Sequence, residues 1–251
     1  MEANMRALLE VRNVTVKYGN FTALDRVSLS ISQGELRVLI GPNGAGKTTL
    51  LDAISGTVKP SYGDIYYKNT VISKLPIHKI ARMGIIRKFQ TPNVIESLSV
   101  WDNLILASVK KNVSGTFAPV DHNKIKDILE LVGLHERRYD LAKELSHGEK
   151  QWLELAMILT NDCDLVLLDE PAIGLTLKDI YKLIDIIGYF IKRNSSIIIV
   201  DHNMDFLRMI CEKFEARVTF MHQGKILRTG TFDEIRSDNE VKRIYLGVER
   251  C

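Results

Sequence analysis

One stretch, Gly41-Pro42-Asn43-Gly44-Ala45-Gly46-Lys47-Thr48-Thr49, constrains this chain more than any other. It fits G-x-x-x-x-G-K-[ST], a phosphate-binding loop. Leu36-Arg37-Val38-Leu39-Ile40 before it reads as a short buried strand. Thr49–Ile54 after it reads as a helix, stopped by Gly56 and Pro60. Strand, glycine-rich loop and helix form the context the motif requires. The glycines let successive N–H groups face inward as an anion nest, and the helix N-terminus adds partial positive charge. Lys47 is placed to reach the β- and γ-phosphates of a nucleotide, and the Thr48 hydroxyl to ligand Mg²⁺.

The rest of the chain supports an α/β frame around that loop. Between residues 8 and 32, Val27, Leu29 and Ile31 alternate with Ser28, Ser30 and Ser32, the pattern of a half-buried strand. Tyr18-Gly19 marks a turn, and residues 63–72 read as a hairpin bending near Lys68-Asn69. These segments predict a small antiparallel sheet beside the main one. A short helix over 76–84 precedes a strand from Gly84 to Phe89 that ends at Gln90. From about 91 to 160 the pattern is helical: Ile125, Ile128, Leu129 and Val132 share one face. Two continuous apolar runs, Leu165–Leu168 and Ile197–Val200, suit strands of a parallel sheet covered on both faces. A hairpin around Gln223-Gly224 and two short helices finish the chain.

A length of 251 residues allows one large domain or two small ones. A net charge of +3, without a block of like charges, gives no nucleic-acid footprint. No apolar run approaches the roughly 20 residues that span a bilayer, so membrane association is expected to come through a partner. Cys163, Cys211 and Cys251 are too few and too scattered for a disulfide framework. The histidines lack zinc-site spacing.

In open parallel sheets, ligands bind beyond the carboxyl ends of the strands. Three predicted strands end in chemistry there: the loop at Gly41, the pair Asp169-Glu170, and His202; a fourth ends at Gln90. Asp169 after an apolar strand is placed to hold Mg²⁺, and Glu170 to polarise an attacking water. His202 is a candidate γ-phosphate sensor. Tyr18 is a candidate adenine-stacking ring, with Phe21 its rival. Leu145-Ser146-His147-Gly148-Glu149 opens a helix. Ser146 and Glu149 satisfy a capping box. Gly148 is a poor first-turn residue, but it allows a phosphate to approach closely. A second phosphate site on the helical region points to a nucleotide shared between two copies.

These motifs, in this order, resemble the nucleotide-binding subunits of ATP-binding cassette (ABC) transporters over nearly the whole chain. Leu145–Glu149 stands for the family's L-S-G-G-Q signature. Gly84–Pro92 and Leu145–Glu154 are similar to the branched-chain amino acid importer group, and most nearly to its urea-importer branch. His147 replaces one signature glycine, and Glu149 replaces the glutamine, adding a negative charge near another copy's nucleotide. Thr176 sits where many members carry an aspartate.

The resemblance implies a P-loop NTPase of α/β class: a RecA-like parallel sheet, a small antiparallel β subdomain and a helical subdomain. It predicts one ABC ATPase domain over 1–251, with a core of 1–90 and 161–251 and a helical subdomain of 91–160. Two copies, or this chain and a homologous ATPase, would sandwich two ATP molecules. Each would lie between one loop (Gly41–Thr49) and the opposite Ser146, Gly148 and Glu149. Glu170, His202, Gln90 and Lys47 form the catalytic set, and Thr48, Gln90 and Asp169 the Mg²⁺ set. The helical subdomain would grip transmembrane permease subunits at the cytoplasmic face of the membrane. The rivals are a lipopolysaccharide-exporting ATPase, a non-transport ABC ATPase, and a binding module without catalysis. Intact Lys47 and Glu170 argue against the last.

Overall fold

The computed structural model describes residues 7–88, 92–109 and 118–246. In chain order, β1 (Ala7–Tyr18) and β2 (Phe21–Ser32) form a hairpin, followed by β3 (Leu36–Ile40) and α1 (Lys47–Ser55). Next come β4 (Tyr62–Tyr67), β5 (Thr70–Val71), α2 (Ile77–Arg82) and β6 (Ile85–Lys88). The helices α3 (Val100–Ser108), α4 (His122–Leu131) and α5 (His147–Thr160) follow. Strands and helices then alternate through β7 (Leu165–Asp169), α6 (Leu177–Lys192), β8 (Ser196–Val200) and α7 (Met204–Phe214). The hairpin β9 (Arg217–His222) and β10 (Lys225–Gly230) leads to α8 (Phe232–Ser237) and α9 (Asn239–Leu246).

The antiparallel sheet has the order β2-β1-β4-β5. Val14 faces Val27 and Tyr18 faces Phe21 across the first hairpin. Lys68 and Asn69 turn β4 into β5 with φ of 47° and 63°, as a twist-matched two-residue turn requires. The main sheet has the order β10-β9-β3-β8-β7-β6. All its strands are parallel except β10 at the edge. The hairpin expected near Gln223 is present. Its first strand also joins the core, with Val38 opposite Val218 in parallel pairing.

The five-residue strands β3, β7 and β8 are buried throughout, because both faces of the main sheet are covered. Val38, Val166, Leu168, Ile197 and Ile199 pack into an apolar layer with α5, α6 and α7. Leu39, Leu165, Leu167, Ile198 and Val200 face the other way, toward α1 and the antiparallel sheet. Truncating a side chain such as Leu167 to alanine in so closed a layer costs about 2–5 kcal/mol.

Among the described residues between 92 and 160, the only β pairing is an isolated bridge between Ser99 and Leu141. Asn103, fully buried, pins the entry to α3. Its Nδ2 donates to the carbonyls of Ile95 (3.0 Å) and Ser99 (2.9 Å), and its Oδ1 accepts from Ile95 N at 2.9 Å. The turns His135–Arg137 and Ala142–Glu144 are 3-10 pieces that deliver the chain to α5.

Candidate active site

The phosphate loop sits where the buried strand β3 delivers the chain to α1. Gly46 caps α1 at φ 98°, and no side chain bonds the first-turn N–H groups. Uncapped N–H groups at a helix N-terminus suit an anion. Gly46 must also be small: a Cβ there would lie 2.7 Å from the Ala23 carbonyl oxygen and 2.8 Å from Leu24 Cδ2. At Gly41 a Cβ would collide with the Met221 carbonyl oxygen. The loop is thus clamped between β2 and the β9–β10 hairpin. Lys47 is buried, and its Nζ donates to the Gly41 carbonyl at 2.7 Å and the Pro42 carbonyl at 3.0 Å. Burial pushes its pKa down, against the pull of Glu170 and Asp169.

A cleft of about 220 Å³ opens over this loop. It is lined by Asn43 through Thr49, by Glu170 and His202, and by Tyr18, Phe21 and Ala23. Both rival rings, Tyr18 and Phe21, are therefore present, half or more exposed on one edge of the cleft. A larger groove of about 710 Å³ beside Lys17, Arg26 and Lys225 holds none of the predicted site residues.

Asp169 ends β7 almost wholly buried. Burial raises its pKa, and Arg87 opposes that rise. Arg87 Nη2 donates to Asp169 Oδ2 at 3.0 Å, while its Nη1 donates to Asp52 Oδ1 of α1 at 2.5 Å. Asp169 Oδ1 is buried with no hydrogen-bond partner. A buried oxygen of this kind costs free energy unless something fills it. Among the described residues no cluster of three His, Cys, Asp or Glu side chains exists that holds a metal alone. Of the residues expected to hold Mg²⁺, the described ones are the Asp169 carboxylate and the Thr48 hydroxyl. That fits Mg²⁺, which binds through one or two protein oxygens, substrate phosphates and waters.

Glu170 adopts φ 49°, an uncommon state for a non-glycine residue. Its backbone N donates to the Val200 carbonyl at 2.7 Å, and its Oε1 lies 3.3 Å from His202 Nε2. Asp201 holds the two ends together. Its Oδ1 accepts from His202 N (2.7 Å) and Asn203 N (2.8 Å), and its Oδ2 accepts from Ala172 N (2.9 Å).

Ser146, Gly148 and Glu149 lie away from this cleft, at the N-terminus of α5. The capping box forms: Ser146 Oγ accepts from Glu149 N, and Glu149 Oε2 accepts from Ser146 N at 2.8 Å. Arg137 Nη1 contacts both Glu149 oxygens at 2.7 and 2.8 Å. That contact lowers the carboxyl's pKa. The expected extra negative charge is therefore offset within the chain. Gly148 is exposed, and a Cβ there would meet nothing within 4 Å. Thr176 caps α6 in a box with Asp179. Gln90 lies outside the described residues.

Arg87, Asp52 and Asp201 were not singled out from the sequence. Two adjacent charges, Arg87 and Lys88, closing the short strand Ile85–Lys88 after two isoleucines were the available signal.

The ABC transporter family profile matches residues 24–173, which carry the phosphate loop, the Ser146 segment and Asp169-Glu170. Fold and cleft define a P-loop ATPase of the cassette class, and the chain belongs to the ABC transporter family, whose ATPase domains hydrolyse ATP. Over 253 positions it is 32% identical to the high-affinity branched-chain amino acid transport ATP-binding protein LivG of Salmonella typhimurium, covering 96% of this chain and 98% of LivG. A probable LivG of Archaeoglobus fulgidus is 28% identical, with 96% of each chain covered. The lipopolysaccharide export ATP-binding protein LptB of Escherichia coli K12 is 32% identical over 244 residues, covering 97% and 98%. A nucleotide-free ATP-binding cassette of an ABC transporter superposes with a TM-score of 0.80 at 26% identity, covering 97% of this chain and all of that one. The ADP conformation of an ATP-binding cassette matches with TM-score 0.80 at 26% identity, covering 96% and 99%.

Proposed function

We propose that this chain is the ATP-hydrolysing subunit of a membrane importer for urea or branched-chain amino acids. One observation carries the ATPase chemistry: phosphate loop, Glu170, His202 and two aromatic rings converge on one cleft, and Asp169, next to Glu170 in the chain, carries a buried oxygen without a hydrogen-bond partner. Tyr18 or Phe21 stacks the adenine. The loop N–H groups and Lys47 hold the β- and γ-phosphates, so Lys47 exchanges its two carbonyl contacts for phosphate oxygens. Glu170 aligns a water for in-line attack, and His202, within reach of Glu170, senses the γ-phosphate. Thr48, Asp169 and Gln90 would hold Mg²⁺, which supplies charge neutralisation at the phosphates.

The Ser146, Gly148 and Glu149 terminus serves the cleft of a second ATPase, a copy or a homologue. Among the described residues nothing crowds Gly148, so the space beside it is left to a partner's phosphate. Residues 91–160 act as the helical subdomain that engages the permease, within a single domain built on 1–90 and 161–251. No helix among the described residues is long and apolar enough to cross a membrane, and attachment at the cytoplasmic face comes through the permease.

Glu170→Gln tests the shared site. It keeps shape and removes the aligning carboxylate, so ATP still binds while turnover falls by orders of magnitude. The ATP-bound dimer should then accumulate by mass action, and light scattering should find it with ATP but not with ADP. A monomer in both, unrescued by a candidate partner ATPase, sinks the shared site. Uptake of labelled urea and leucine by a deletion strain tests the cargo. The likeness to LptB favours export as the second reading. Intact uptake with lost lipopolysaccharide display would select it.

A further inference from the structure

We infer that Arg87 is a positioning residue for the metal site: it clamps α1 to β7 through Asp52 and Asp169, and turns the Asp169 carboxylate so that Oδ1 faces the cation. This rests on the assignment of Asp169 as a metal ligand. The guanidinium is almost wholly buried, as is Asp169. A planar fork with donors in fixed directions can serve two carboxylates at once. Here one branch reaches Asp52 at 2.5 Å and the other reaches Asp169 Oδ2 at 3.0 Å. Arg87 engages Oδ2 and leaves Oδ1 as the carboxylate's oxygen without a hydrogen bond.

Position in the fold gives the clamp its consequence. Asp52 lies on the same helix as Lys47 and Thr48, which lead α1. Arg87 sits opposite Leu167 in the strand next to β7. An ion-paired link from the phosphate-loop helix to the Asp169 strand therefore passes through this guanidinium. Thr48 and Asp169, two of the three residues assigned to the metal, come from the two elements it joins. Neighbours of this kind are worth roughly 10- to 100-fold in metal affinity.

The test is binding of a non-hydrolysable ATP analogue, measured in EDTA and across a Mg²⁺ titration, for the wild type, Arg87→Gln, Arg87→Lys and Asp169→Asn. Arg87→Lys keeps a positive charge but cannot span both carboxylates, and it guards against a Gln variant that fails to fold. Metal-free affinity within about twofold of wild type, with Mg²⁺ affinity down roughly 10- to 100-fold in an Arg87 variant, is the expected result. Unchanged Mg²⁺ affinity in a folded Arg87 variant overturns the inference. Equal loss with and without metal also overturns it, because the clamp would then be merely structural. If Asp169→Asn keeps the full Mg²⁺ response, the metal assignment itself fails. If only Asp169→Asn loses the response, the assignment stands and the role of Arg87 falls.

Discussion

Gly148→Ala should make the isolated chain more stable and the working assembly worse. Gly148 occupies the first turn of α5 with ordinary helical backbone, and a Cβ there meets no atom within 4 Å. Nothing local opposes the methyl. Alanine is favoured over glycine in a helix by about 0.5–1 kcal/mol, chiefly through chain entropy. In a domain of this size that gain raises Tm by about 1–4 °C. The proposed second ATPase brings a phosphate to this spot, where an added methyl overpacks a close contact at about 1–3 kcal/mol. At each of the two contacts of a symmetric dimer that is a weakening of about 5- to 150-fold. Differential scanning calorimetry of the single chain and light scattering with ATP in the Glu170→Gln background read the two effects separately. A lowered Tm would refute the open local geometry. A raised Tm with wild-type dimerisation would refute the role of Gly148 in a shared site.

Lys47→Ala should abolish ATP hydrolysis and weaken nucleotide binding, since Lys47 is the one formal positive charge among the loop residues lining the cleft; native turnover in a steady-state phosphate-release assay would sink the loop assignment. Glu149→Gln keeps an acceptor for the Ser146 N–H but loses the charge facing Arg137, so stability should fall by about 0.2–1 kcal/mol at neutral pH while ATPase activity stays level or rises. Because Arg137 holds the Glu149 carboxyl below its ordinary 4.5, that stabilisation is complete above 4.5 and is lost as pH falls through the depressed value. The Tm gap between the two proteins should close on acidification. Burial pushes the Cys163 thiol up to about 11 and the Cys211 thiol up to about 12, so iodoacetamide at pH 8 should label neither until the chain is denatured, as mass spectrometry will report.

What the sequence revealed followed from how each residue acts. The buried strands β7 and β8 were legible because a sheet covered on both faces needs unbroken apolar runs, and Leu165–Leu168 and Ile197–Val200 are such runs. The phosphate loop was legible because glycine spacing is a backbone requirement written directly in residue type. The parallel pairing of β9 with β3 was not, because a hairpin pattern reports only its own antiparallel partner. The capping box at Ser146 and Glu149 was visible as S-x-x-E, but Arg137 is too far along the chain for a local pattern to find. Arg87 and Asp52, separated by 35 positions, meet only when α1 and β6 pack. Asp201 read as a strand end because its three N–H partners come from two loops.

Asp201 ties the loop after β7 to the loop after β8. The same carboxylate holds Ala172 N through one oxygen and His202 N through the other. Ile173, next to Ala172, is largely exposed, as is Leu177 at the head of α6. A surface pressed against Ile173 would pull on Ala172, then on Asp201, and so on His202 beside Glu170. Linkage would make this traffic two-way: if the proposed nucleotide binds beside His202, free energy spent by a neighbouring chain in shifting that loop would return as altered grip at the phosphate end. Loss of the γ-phosphate would then loosen the neighbour by an equal amount.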